Sequence, residues 1–161
     1  MTTILTEPER YLSSTIAQFA HELCISRLPA TVIARARQHL LDTVGCCLAA
    51  KDLDTSRALG AWLVSEGGAE QATAIGVGRR LPAAQAAFLN GLLARSLEYD
   101  DMAMPDLHPS GVIAPVVLAV SEWQDTTGAE LLTAIALGLE LCLRIGRGTG
   151  DGTLNAQRLP C

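Results

Sequence analysis

The segment AELLTAIALGLELCLRIG, residues 129–146, spaces Leu131, Leu132, Ile135, Leu139, Cys142 and Ile145 along one face of a helix. Thr127-Gly128-Ala129-Glu130 before it is a capping-box pattern, in which a hydroxyl and a carboxylate satisfy each other's backbone N–H groups. The same period runs through RLPATVIARARQHLLDTVGCCLAA. There Val32, Ala36, Leu40, Val44 and Cys47 form a stripe, with Arg35, Arg37 and Gln38 largely outside it. Apolar residues spaced in this way must be buried by packing helix on helix. Composition agrees: 49% of residues are hydrophobic but only 4% aromatic, so Ala, Leu, Val and Ile fill the interior.

Further helices follow from local signals. Thr6-Glu7-Pro8-Glu9 opens a first helix carrying Leu12, Ile16, Phe19, Ala20 and Leu23, predicted to run to about Ser26. Asp54 is expected to cap a helix through about Ser65, stopped by Gly67-Gly68. Glycines interrupt AEQATAIGVGRRL, residues 69–81, which predicts a loop or small hairpin. Pro82 opens PAAQAAFLNGLLARSL, whose small residues permit close helix approach. Pro109 opens PSGVIAPVVLAVSEW, apolar on nearly every face and therefore expected to be central, with a kink at Pro115. The predicted class is all-α: a packed domain of about six helices with a small irregular or β-like segment near residues 69–81. Residues 1–147 form that domain and 148–161, GRGTGDGTLNAQRLPC without its first two residues, a glycine-rich unstructured tail.

The chain's 161 residues suit one domain with a real core. A formal charge of −5 without a Lys/Arg-rich run excludes a nucleic-acid binder. Cys24, Cys46, Cys47, Cys142 and Cys161 are odd in number and contain no CxxC pair, so they are expected to be buried reduced thiols, not a disulfide framework or a zinc site. The N-terminal residues lack a secretory pattern, and the apolar runs fall short of the ~20 residues a membrane span needs. A cytoplasmic protein with no membrane partner is expected.

Against this apolar background, LEYDDMAMPDLHPSG (residues 97–111) gathers Glu98, Asp100, Asp101, Asp106 and His108. Three readings are open. One is a solvated turn and helix start with His108 capping. A second is a metal site built from Asp100, Asp101, Asp106 and His108, which no metal-specific spacing supports. The third is acid/base catalysis on a small substrate, in which partial desolvation raises a carboxyl pKa and an imidazole exchanges protons near neutral pH.

The ordered set NGLLARSLEYDD, HPSGVIAPVVLAVSEW and TGAELLTAIALGLELCLRIG resembles the N-terminal helical domain of the MmgE/PrpD family, together with LLDTVGCCLAA and AIGVGRRLPAAQAAFLNG upstream. The resemblance spans about residues 10 to 147. It implies a helical domain joined to a smaller α/β domain, usually in a homodimer. It also implies dehydratase, decarboxylase or epimerase chemistry on small di- or tricarboxylates, with no cofactor and no required metal. Glu98 stands where members begin the acidic motif with Asp or Glu, Asp100 and Asp101 match the DD pair, and His108, Pro109 and Ser110 match the His-Pro-Ser turn. Met102 falls where several members place a substrate-contacting Thr, and Arg95 where many have His.

The expectation is a fragment of a 2-methylcitrate dehydratase-like lyase or isomerase, inactive alone. Glu98 and His108 are its catalytic acid/base pair, and Asp100, Asp101, Met102 and Ser110 its substrate-binding residues. The family's cationic groups lie downstream of this sequence, and Lys51 is its sole lysine. A small polycarboxylate is the expected substrate, and a second copy or a complementary chain the expected partner. The alternative is a non-enzymatic helical module that binds a partner through exposed apolar surface.

Overall fold

The computed structural model describes residues 11–103 and 107–148. Six α-helices lie among them: α1 (Leu12–Glu22), α2 (Ala30–Ala50), α3 (Asp54–Glu66), α4 (Ala83–Arg95), α5 (Pro109–Gln124) and α6 (Gly128–Gly148). The segment near residues 69–81 is a small antiparallel hairpin. Its strands β1 (Ala72–Thr73) and β2 (Arg80–Leu81) pair Ala72 with Leu81 and Thr73 with Arg80. The all-α class is thus correct. Thr6-Glu7-Pro8-Glu9 and residues 149–161, including Cys161, lie outside the described residues, while Gly148 closes α6.

Helix ends carry most departures from expectation. α1 stops at Glu22 and not near Ser26, because Leu23 and Cys24 turn extended before a short 3-10 turn at Ile25–Arg27. The Arg27 guanidinium then donates to the Glu22 carbonyl at 3.3 Å, satisfying a group that a longer helix would have bonded internally. Asp54 is the first residue of α3, not its cap; Leu53 holds the cap position, and Asp54 accepts from Arg57 at 2.9 Å. The Thr127–Glu130 capping box forms as expected. Glu130 Oε2 accepts from Thr127 N and Oγ, each at 2.8 Å, and Thr127 Oγ accepts from Glu130 N at 3.2 Å.

The core gathers Cys47, Ala50, Leu63, Leu81, Ala86, Leu89, Leu93 and Ala119. α4 packs most extensively against α5, with α2 and α6 on their flanks. Alanines at the α4 contacts let backbones approach closely, as small residues should. Two faces remain open. α5 is not apolar core on every side: Val112, Val116, Val120 and Trp123 are exposed, one helical stripe that no helix among the described residues covers. Of α6 only Ile135 is fully buried, so its apolar stripe is partly uncovered, and α1 buries no residue completely. Among the described residues no helix is long and apolar enough to cross a membrane.

The cysteines divide. Cys46 and Cys47 are buried, whereas Cys24 is exposed, against the expectation of uniformly buried thiols, because α1 ends just before it. Burial, and then its neighbour Cys46, push the Cys47 thiol up to about 12. Its Sγ donates to the Asn90 carbonyl at 3.2 Å.

Asn90 ties the hairpin to the helices. It is a buried amide on an otherwise apolar face of α4; its Oδ1 accepts from Ile75 N at 2.9 Å and its Nδ2 donates to the Thr73 carbonyl at 2.9 Å. From the other side, Glu122 on α5 accepts from Thr73 N and Oγ, each at 2.8 Å. Asn90→Ala should strand two backbone groups and lower stability by about 2 kcal/mol, read from the urea midpoint. A change within the ~0.5 kcal/mol typical of surface substitutions would contradict this role.

Candidate active site

The acidic segment connects α4 to α5, and the two aspartates of its DD pair separate into different tasks. Asp100 turns inward, its side chain 0% exposed. Arg95, in the last turn of α4, donates through Nη1 to Asp100 Oδ1 at 2.8 Å. The other arm of the guanidinium, Nη2, grips both oxygens of Glu98 at 2.9 and 3.1 Å. This fork holds Glu98 in the left-handed region, φ 53°, a conformation disfavoured for a side chain with a Cβ. Glu98 itself stays largely in solvent, 66% exposed.

His108 completes this group. Its Nδ1 lies 3.5 Å from Asp100 Oδ2 and its Nε2 lies 4.0 Å from Glu98 Oε2. The predicted acid/base pair is therefore brought together, with Arg95 and Asp100 between and behind its members. Gly111 packs closely against this group. A Cβ at that position would lie 2.6 Å from Asp100 Oδ2 and 2.9 Å from Arg95 Cδ.

Asp101 works on the other side. His108 holds the cap position of α5 but makes no capping hydrogen bond with its side chain, contrary to the turn reading. Asp101 takes that part: its Oδ1 accepts from Ser110 N at 3.0 Å and its Oδ2 from Ser110 Oγ at 2.8 Å. A negative carboxylate at the start of α5 also suits the helix dipole. With the Ser110 hydroxyl proton committed to Asp101, the 2.9 Å contact between Ser110 Oγ and His39 Nδ1 has the imidazole as donor. His39 Nδ1 also lies 3.2 Å from Asp101 Oδ2. Each aspartate of the pair thus faces one imidazole nitrogen.

His39 and the double role of Arg95 escaped the sequence reading. His39 sits on α2, 71 positions from Ser110, with no local pattern to mark it. Arg95 was visible only as a residue standing where the family often has His. Of the other predicted residues, Ser110 is buried at the start of α5, and Met102 is 65% exposed without a charged group to offer. Asp106, the fourth ligand of the metal reading, lies outside the described residues. A groove of about 930 Å3 between α4 and α5 reaches this site through Arg95, Ser96 and Gly111; its other walls are apolar, Phe88, Leu92, Val116 and Trp123 among them. The electrostatic character is negative: the Cys46 thiol, raised first by burial, is raised further by the carboxylates of Asp42, Asp100 and Asp101.

The family described as MmgE/PrpD N-terminal domain matches residues 14–155. The sequence is 29% identical over 154 residues to the cis-aconitate decarboxylase-like protein oryM of Aspergillus oryzae, covering 91% of this chain and 32% of that protein. It is 29% identical over 135 residues to the cis-aconitate decarboxylase of Homo sapiens, covering 81% and 28%. With the cis-aconitate decarboxylase of Aspergillus terreus it shares 26% identity over 151 residues, covering 89% and 31%. The chain spans just under a third of the length of these relatives.

Asp101→Ala should loosen the first turn of α5. The expected outcome is a loss of about 1–2 kcal/mol, as for other helix caps, with faster amide exchange at Ser110. The first turn of α6, which has its own capping box, should keep its exchange rates. Unchanged protection at Ser110 would show that Asp101 does not cap the helix.

Proposed function

The chain belongs to the MmgE/PrpD family, and on that premise we propose that it forms the acidic part of the active site of a lyase or isomerase acting on small di- or tricarboxylates. The observation that carries this reading is the pairing of His108 Nε2 with Glu98 Oε2 at 4.0 Å, over a buried carboxylate held by Arg95. An imidazole and a partly exposed carboxylate at that distance can share the removal and return of one proton on a small substrate. Asp100 and Asp101 keep the two in place, and Ser110 and Met102 border the same connection between α4 and α5. The names of the relatives, cis-aconitate decarboxylases, support a tricarboxylate-like substrate.

Charge sets the limit on what these residues do alone. Taking a proton from carbon beside a carboxylate, or losing CO2 or water, builds negative charge that cationic donors must offset. Here Arg95 is shared between Glu98 and Asp100, so a polycarboxylate approaching the motif meets net repulsion. We assign the compensating cations to sequence beyond these residues or to a partner chain, and the working enzyme to an oligomer or a complemented assembly. A second reading, a helical module without catalysis, draws on the exposed stripe Val112, Val116, Val120 and Trp123, with Phe88 across the groove.

Product NMR with 2-methylcitrate, cis-aconitate and iminodisuccinate separates these readings. The 161-residue chain alone should turn over none of them, since removing even one oxyanion-stabilising donor typically costs ~10²–10³ in rate. Joined to the remainder of a full-length family member, it should gain activity that Glu98→Gln or His108→Ala abolishes. Turnover by the chain alone would overturn the division of the site. A complemented enzyme indifferent to both substitutions would overturn the assignment of Glu98 and His108.

A further inference from the structure

We propose that Asp100 is a positioning residue: it holds His108 in the tautomer protonated on Nδ1, leaving Nε2 as the nitrogen that exchanges protons with substrate. The inference deepens the proposed function, since it rests on His108 being the proton-exchanging group. Its evidence is geometric and independent of any turnover.

Asp100 Oδ2 and His108 Nδ1 are both buried, and neither has a hydrogen-bond partner among the described residues. They lie 3.5 Å apart. A buried carboxylate oxygen and a buried ring nitrogen facing only each other are both satisfied by one arrangement, a proton on Nδ1 directed at Oδ2. The oxygen is confined as well. Arg95 holds the other oxygen of the carboxylate at 2.8 Å, and Gly111 leaves room for Oδ2 where any Cβ would lie 2.6 Å away. The carboxylate is therefore held through Oδ1 beside the imidazole, and its side chain, 0% exposed, is closed off from solvent.

The consequence falls on the other side of the ring. With Nδ1–H donated to Asp100, the lone pair of neutral His108 is on Nε2, the nitrogen 4.0 Å from Glu98 Oε2. When Nε2 accepts a proton from substrate, the imidazolium positive charge lies against the Asp100 carboxylate, and the same proton returns from Nε2 in the second half of the reaction. In this scheme Asp100 orients the ring and offsets the imidazolium charge without itself taking the substrate proton.

The test is the tautomer of His108 by 15N NMR on the histidine-labelled 161-residue chain, at a pH where the ring is neutral. The Nδ1–H form should predominate by about tenfold or more, the factor given by a hydrogen bond to an ionised carboxylate. Asp100→Asn, whose amide can donate to Nδ1, should shift His108 to the Nε2–H form, while His39, held by Asp101, keeps its own Nδ1–H signal. In the complemented enzyme the same substitution should lower kcat more than it changes KM. A predominant Nε2–H form in the unmodified chain overturns the proposal, and this reading needs no variant to fold. An unchanged tautomer in a folded Asp100→Asn chain overturns it equally. Should the tautomer be as expected while no complemented enzyme turns over a polycarboxylate, the functional assignment fails and the positioning role of Asp100 stands.

Discussion

The ion pair between Arg95 and Asp100 is the contact on which the site depends. A carboxylate removed from water is tolerated only when its charge is met, and Arg95 meets it at 2.8 Å from the last turn of α4. The same guanidinium reaches Glu98, so one side chain fixes both the buried and the exposed acid of the motif. The left-handed backbone at Glu98 and the glycine at 111 are consequences of that grip. Without it, the buried Asp100 carboxylate would be left with only the His108 imidazole beside it among the described ionisable groups.

α4 carries this organisation along its length. Near its middle, Asn90 binds the hairpin through two backbone groups; at its end, Arg95 binds the acidic segment. Both polar anchors interrupt a largely apolar helix whose alanines and glycine allow close packing on α5. α5 in turn is anchored at its start by Asp101 and near its end by Glu122, which accepts from Thr73 in the hairpin. The polar contacts therefore tie the same two helices together twice, through the acidic segment and through the hairpin, and the apolar core packs beside them. A site placed at such a junction is held by rigid elements rather than by a free loop.

The helices were legible in the sequence because period and caps are local. Thr127 and Glu130 are three residues apart and form the expected box; Pro109 marks the start of α5. The site was legible as a cluster of residue types, and Glu98 and His108 do approach one another. What could not be read was pairing over distance. Nothing near His39 shows that it meets Ser110 and Asp101, and nothing near Asn90 shows that the amide serves a hairpin 15 and 17 positions upstream. Asp100 and Asp101 are adjacent and alike in sequence, yet only the packing of Arg95 and Gly111 decides that one faces His108 and the other Ser110. The exposed stripe of α5 was misread for the same reason, since an all-apolar segment does not declare which face its neighbours leave open.

The central claim, that the acidic segment is a preorganised site and not a solvated turn, is tested most directly by a double-mutant cycle on Arg95 and Asp100. Urea unfolding of the unmodified chain, Arg95→Met, Asp100→Asn and the double variant gives the coupling between the two side chains. A part-buried, charge-assisted pair should show a coupling of about 1.5–3 kcal/mol. A coupling below ~0.5 kcal/mol, the range of exposed surface pairs, would mean that the segment is held by its turns alone and would contradict the account.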